Sequence, residues 1–144
     1  MVRLILAAAV LLGATAVLAQ ENIIETRQNL MKRNNDNAKA VSAIAKGEAT
    51  FDAAKVEKAS VDWNDTAKKL PDLFPDNSKT GNKTRAKPEI WSKRQDFVLK
   101  ISDFAKAAAD FKTTAKDAAS VKVAFDKVIK ACDNCHEGFR AARQ

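Results

Sequence analysis

The sequence predicts an all-α chain folded as an antiparallel four-helix bundle, and three observations carry that reading. Glycine occurs only four times and proline three times in 144 residues, while alanine and lysine abound, a composition of long helices joined by few turns. Apolar residues recur at intervals of three and four through four separate stretches, with no alternating run that would mark a strand. One segment alone, residues 71–87, loses this periodicity and gathers Pro, Asn, Asp, Ser and Gly.

The chain opens with Met1, Val2 and Arg3, followed by a small and apolar run from Leu4 to Ala19 in which Val17 and Ala19 suit signal-peptidase cleavage before Gln20. Residues 1–19 therefore read as a cleaved secretory signal and residues 20–144 as one domain. A membrane anchor would need roughly 20 apolar residues to cross hydrocarbon, more than this run supplies. Export to the periplasm is expected, with no membrane attachment once the signal is gone. Its removal takes away Arg3 and no acid, so the formal charge falls from +7 to +6. The remaining basic residues lie scattered among acids at helical spacing, which argues against nucleic-acid binding.

The first helix is expected from about Glu21 to Lys46, with Ile23, Ile24, Leu30, Met31, Ala38, Val41, Ile44 and Ala45 facing inward and Gly47 as its stop. Asp52 can cap a second helix with Val56, Ala59, Trp63, Ala67 and Leu70 inside, ended by Pro71. Residues 71–87 follow as a long surface crossover. Pro88 suits the first turn of a third helix whose stripe is Ile90, Arg94, Phe97, Ile101, Phe104, Ala108 and Phe111, fading near Thr113 and Thr114. After Lys116 and Asp117 a fourth helix places Val121, Phe125, Val128, Cys132, Cys135, His136 and Phe139 inside. Short connections on either side of the crossover favour antiparallel neighbours. The many inner alanines leave room for something large and flat.

Cys132, Asp133, Asn134, Cys135 and His136 spell C-x-x-C-H, the attachment signature of c-type haem. Two thiols three residues apart lie on one helical turn, where each can add to a different vinyl group of one porphyrin while the adjacent imidazole reaches the iron. A thioredoxin-like dithiol would follow a strand in an α/β fold. Zinc would want four ligands, whereas this chain offers two thiols and a single histidine. A disulfide between Cys132 and Cys135 would close only a tiny ring and leave His136 without a role. One covalent haem c, with His136 as proximal iron ligand, is the expectation.

The other axial position is open to fewer groups. Beyond the signal Met31 is the only methionine, His136 is the only histidine, and the chain has no tyrosine. The sixth ligand is therefore Met31, a lysine, water or nothing. A methionine on an apolar stripe commonly fills a core, yet a haem held by the last helix must present its other face to a neighbouring helix.

These residues resemble the class II c-type cytochromes, four-helix bundles with the haem motif near the C-terminus. The likeness covers essentially the whole chain after the signal. It rests on Arg27 to Lys32 (RQNLMK), Ala45 to Glu48 (AKGE), Leu70 to Pro75 (LPDLFP), Pro88 to Trp91 (PEIW) and Cys132 to Arg140. In one branch, cytochrome c′, the distal residue does not ligate and the iron is five-coordinate; in another, cytochrome c-556, a methionine ligates it. The residues around Met31, with the AIAKGE and LPDLFPD segments, resemble the second branch, which implies Met31 as sixth ligand. Asn34 and Asn35, one turn beyond Met31, are the departure to watch. The resemblance also implies haem-propionate or haem-edge contacts for Arg27 and Arg140, and haem packing or core roles for Phe74, Trp91 and Phe139.

The expected function is one-electron transfer through a six-coordinate His/Met iron, the alternative being a gas-binding haem protein for NO or CO with an open distal site. No constellation of catalytic side chains accompanies His136 in the sequence. Lys32, Arg33, Lys39, Lys127, Lys130, Arg140 and Arg143 predict a positive surface near the haem and hence acidic redox partners. The oligomeric state is expected to be monomer or homodimer.

Overall fold

The computed structural model describes the backbone of residues 2–142 and side chains from residue 22 onward. Among the described residues five α-helices account for the architecture: α1 (Val2–Ala45), α2 (Ala53–Lys69), α3 (Glu89–Ser92), α4 (Arg94–Thr114) and α5 (Ala118–Phe139). Helix α1 continues back through the apolar N-terminal run rather than starting near Glu21. The side chains of the expected signal, residues 1–19, and Arg143 of the expected positive surface lie outside the described residues.

The helix ends follow local chemistry. Gly47 adopts φ +74°, which lets Glu48 N–H reach Ala43 O at 2.9 Å and Gly47 N–H reach Ile44 O at 3.0 Å. This pair of bonds satisfies the last carbonyls of α1. Asp52 caps α2 by accepting from Lys55 N–H at 3.1 Å. At the start of α5, Asp117 and Ser120 cap one another: Ser120 N–H donates to Asp117 Oδ1 at 2.7 Å and Asp117 N–H to Ser120 Oγ at 3.0 Å.

One boundary departs from the sequence reading. The helix expected to run unbroken from Pro88 divides at Lys93, whose backbone lies at φ −120°, ψ 49°. The short α3 is thereby turned so that Trp91 Nε1 donates to Phe74 O at 3.1 Å and to Pro75 O at 3.3 Å. Tertiary bonds of one indole outweigh continuation of the helix. The crossover itself contains two single 3₁₀ turns, Leu70–Leu73 and Asp76–Ser78.

The long helices pack in the ring order α1, α2, α4, α5, with α5 returning to α1. Cross-helix contacts fix their directions. Arg33 and Asn37 of α1 meet Asp65 and Asp62 of α2; Asn64 of α2 donates to Ala108 O of α4, and Arg94 at the start of α4 donates to Pro71 O. Phe97 of α4 meets Phe139 of α5. Each neighbour is thus antiparallel, and both ends of the crossover fall at one pole of the bundle. There residues 85–87 run beside 139–141, with Lys87 N–H on Phe139 O at 3.1 Å and Ala141 N–H on Arg85 O at 2.8 Å.

Candidate haem site

Cys132, Cys135 and His136 occupy the last turns of α5, at the crossover pole. The inward positions Val128 and Phe139 are buried on either side of them, so the helical repeat carries both sulfurs toward the interior. Both cysteines are unbridged and half-buried, and their side chains pack against the core. The intervening Asp133 and Asn134 are exposed. Burial, followed by the negative charge of Asp133 and the neighbouring Cys135, pushes the Cys132 thiol up to about 11. Burial also raises Cys135, against the opposing charges of Lys100 and Arg140.

Those shifts bear on which chemistry the pair suits. A dithiol oxidoreductase lowers its thiol pKa to expose a nucleophilic thiolate, and this pocket disfavours the thiolate at both positions. A thioether is uncharged and suits such a pocket. For His136, burial and the charge of Arg140, with a smaller push from Arg85 and an opposing pull from Asp133, drive the imidazole down to about 4. The ring is neutral at neutral pH, its lone pair available to a metal. Among the described residues no three His, Cys, Asp or Glu side chains converge to hold a bare ion. Two thiols and one neutral imidazole on a single helical turn suit instead a metal whose other donors arrive with a macrocycle. The residues present fit a covalent haem.

Met31 lies on α1, the helix that closes the ring against α5, and is half-buried with its side chain against the core. Asn34, one turn on, does not turn its amide toward the haem motif. Its Oδ1 accepts from Thr66 Oγ1 at 3.0 Å and its backbone carbonyl accepts from Trp63 Nε1 at 3.4 Å, both on α2. Asn35 is exposed.

Arg27, one turn before Met31, is only 4% exposed. Its Nη1 donates to Leu73 O at 3.1 Å and Ser78 Oγ at 2.9 Å, and its Nη2 to Ser78 O and Thr84 Oγ1, each at 2.8 Å. The guanidinium also stands 4.7 Å from the centroid of the Phe74 ring. Four of its five N–H donors are thus engaged by the crossover. Arg140 ends α5, its N–H on His136 O at 3.0 Å, and its exposed side chain acts on His136 through charge. Sequence reading missed Ser78 and Thr84, whose only advance signal was the number of hydroxyls in an aperiodic loop.

Phe74, Phe97 and Phe139 form a continuous aromatic chain at this pole, with centroids 4.9 and 5.2 Å apart, and Trp91 joins Phe74 at 6.2 Å. The same arrangement of helices and motif occurs in known proteins. The sequence model of the Cytochrome C′ family matches residues 22–140. A cytochrome c-556 from Rhodopseudomonas palustris is 44% identical over 94% of each chain. A cytochrome c′ from the same organism is 39% identical, over 96% of this chain and 94% of that one. The solved cytochrome c′ structure from that organism superposes with a TM-score of 0.80 over 85% of this chain and 98% of the other. With its bundle, its paired thiols and its single histidine, the chain belongs to the cytochrome c′ family of class II c-type cytochromes, whose members carry a covalent haem c.

Proposed function

We propose that the protein is a periplasmic one-electron carrier in which His136 and Met31 hold the iron from opposite sides. The observation that carries this reading is the position of Met31, half-buried on the helix packed against the helix of the haem motif. Cys132 and Cys135 would hold the haem through thioether links. His136 contributes a neutral imidazole. The bound haem supplies the one-electron couple. Met31 would keep water and gases from the iron, and its soft sulfur would favour the reduced state and raise the potential.

Replacing Met31 with alanine tests the assignment. The variant should keep its haem, since Cys132, Cys135 and His136 are untouched, but should become high-spin, bind carbon monoxide readily when reduced and show a lower potential. A wild-type protein that is already high-spin and binds carbon monoxide quickly would make Met31 a packing residue, and the gas-binding reading would replace electron transfer.

Lys32, Lys39, Lys127, Lys130 and Arg140 are exposed and support docking of acidic redox partners. Arg33 and Lys39 contribute less, because Arg33 is paired with Asp65 at 2.7 Å and Lys39 with Asp36 at 4.0 Å. Electron-transfer rates with acidic partners should fall as salt screens these charges over a Debye length of about 8–10 Å; rates indifferent to ionic strength would refute such docking.

A further inference from the structure

We infer that Arg27 is a positioning residue for the distal ligand: through Ser78 and Thr84 it straps the crossover onto the turn of α1 just before Met31. The inference rests on the proposed ligation by Met31 and adds to it what holds that ligand in place.

Burying a cation is costly unless it is paired or fully hydrogen-bonded, and Arg27 makes no ion pair with a carboxylate among the described residues. Its burial lowers its pKa below the usual arginine value. Neutral acceptors of the crossover and the face of Phe74 take the place of a counter-ion. Such bonds fix both sides at once, since neither the guanidinium nor the loop can move without leaving buried donors unmet. Gln28 reinforces the strap by donating to Asn82 O at 2.9 Å.

On its other side the strap reaches the proximal helix. Phe74, under the guanidinium, packs edge-on against Phe97, and Phe97 against Phe139, three residues beyond His136. Contacts therefore run without a gap from the turn before Met31 to the turn after His136. An iron–thioether bond requires α1 and α5 to stay at a set separation, and this chain of contacts joins the two helices about one turn from each ligand. A counter-charge for a propionate would need none of these loop acceptors.

The test uses the haem-loaded chain and changes the loop rather than the charge. A Ser78→Ala, Thr84→Val double variant keeps Arg27, Met31 and the haem motif. It should retain haem and helix content, yet show a high-spin fraction and bind carbon monoxide about tenfold faster, because the open distal state becomes more populated. Arg27→Lys, which keeps the charge but loses the fork, should do the same. Wild-type spectra and carbon monoxide rates in both variants would overturn the proposal and leave Arg27 as a simple counter-charge. The wild-type spectrum separately tests Met31 ligation. Should the wild type be high-spin, amide exchange decides on the strap: residues 30–34 exchanging faster in the double variant supports it, and acceleration confined to residues 73–84 overturns it.

Discussion

Around Trp63 the bundle is closed by its own side chains, whereas further along the same helices, toward the crossover pole, Met31 and the three haem-motif side chains are only partly covered. Trp63, Val41, Ile44 and Phe111 are each at most 1% exposed, and Trp63 meets Phe111 edge-on at 5.0 Å and stacks near Phe125 at 6.1 Å. Met31, Cys132, Cys135 and His136 are all half-buried, and the polar groups nearest them on α1, Arg27 and Asn34, are held by neighbouring segments rather than by one another. One region is closed by its own side chains. The other is shaped by its surroundings, leaving its central residues to a group the protein must acquire. Stability and haem chemistry should accordingly respond to different mutations.

The largest expected effect is in the closed region. Trp63→Ala removes the side chain at the centre of the aromatic cluster and should cost about 3–5 kcal/mol, read as a lower denaturant midpoint. The spectrum of the fraction that remains folded should be that of the wild type. A change of spin state in this variant would erase the distinction between the two regions.

At the border stands Asn34, and Asn34→Ala sharpens the comparison. Thr66 is fully buried and donates its hydroxyl to Asn34 Oδ1, so the variant strands that hydroxyl and should lose about 1–3 kcal/mol by the same denaturation assay. The iron should keep its ligands, because the asparagine amide is committed to α2.

The smallest effect belongs to the surface ion cluster between α1 and α2. Asp62 accepts from Lys58 at 2.6 Å and Asn37 at 2.7 Å, and Arg33 Nε lies 3.4 Å from it without hydrogen-bond alignment. Burial alone would raise this carboxyl, but the bonds from Lys58 and Asn37 and the charges of Arg33 and Lys58 outweigh it and hold it below the ordinary carboxylate range. A depressed folded-state pKa contributes stability that is complete above the unfolded value and is lost as pH falls through the folded one. Asp62→Asn should therefore cost about 1 kcal/mol or less near neutrality, and the gap to wild type should close in acid. A gap that persists below the carboxylate range would place the effect in packing instead.

The sequence disclosed whatever is written in local patterns. Asp52 and Pro71 bounded α2, Asp117 opened α5, Gly47 closed α1, and the inner positions Val56, Ala59, Trp63, Ala67 and Leu70 are all buried. The haem motif was equally legible, since its chemistry requires residues within one turn. Hidden from it were features whose partners lie far along the chain. Periodicity counts apolar residues, so it gave no sign that Arg27, Asn34 and Asn37 are buried on α1. Their hydrogen-bond partners lie on α2 or in the crossover, 25 to 57 residues away. The break at Lys93 was hidden likewise, because the indole bonds that turn α3 depend on where residues 74 and 75 settle.

The ring order of the helices carries a thermodynamic consequence. Three of its four sides join long helices consecutive in the chain; the fourth, α1 with α5, must bring together segments from opposite ends of the domain. Met31 belongs to α1 and His136 to α5. Held by one iron, they would cross-link a loop of roughly a hundred residues, which in the chain-entropy treatment removes about 4–5 kcal/mol of unfolded-state freedom. Such a staple would open at its methionine end without breaking a covalent link. Whatever loosens the iron–sulfur bond, including a change of oxidation state, would then be felt as a shift in the melting temperature of the whole domain.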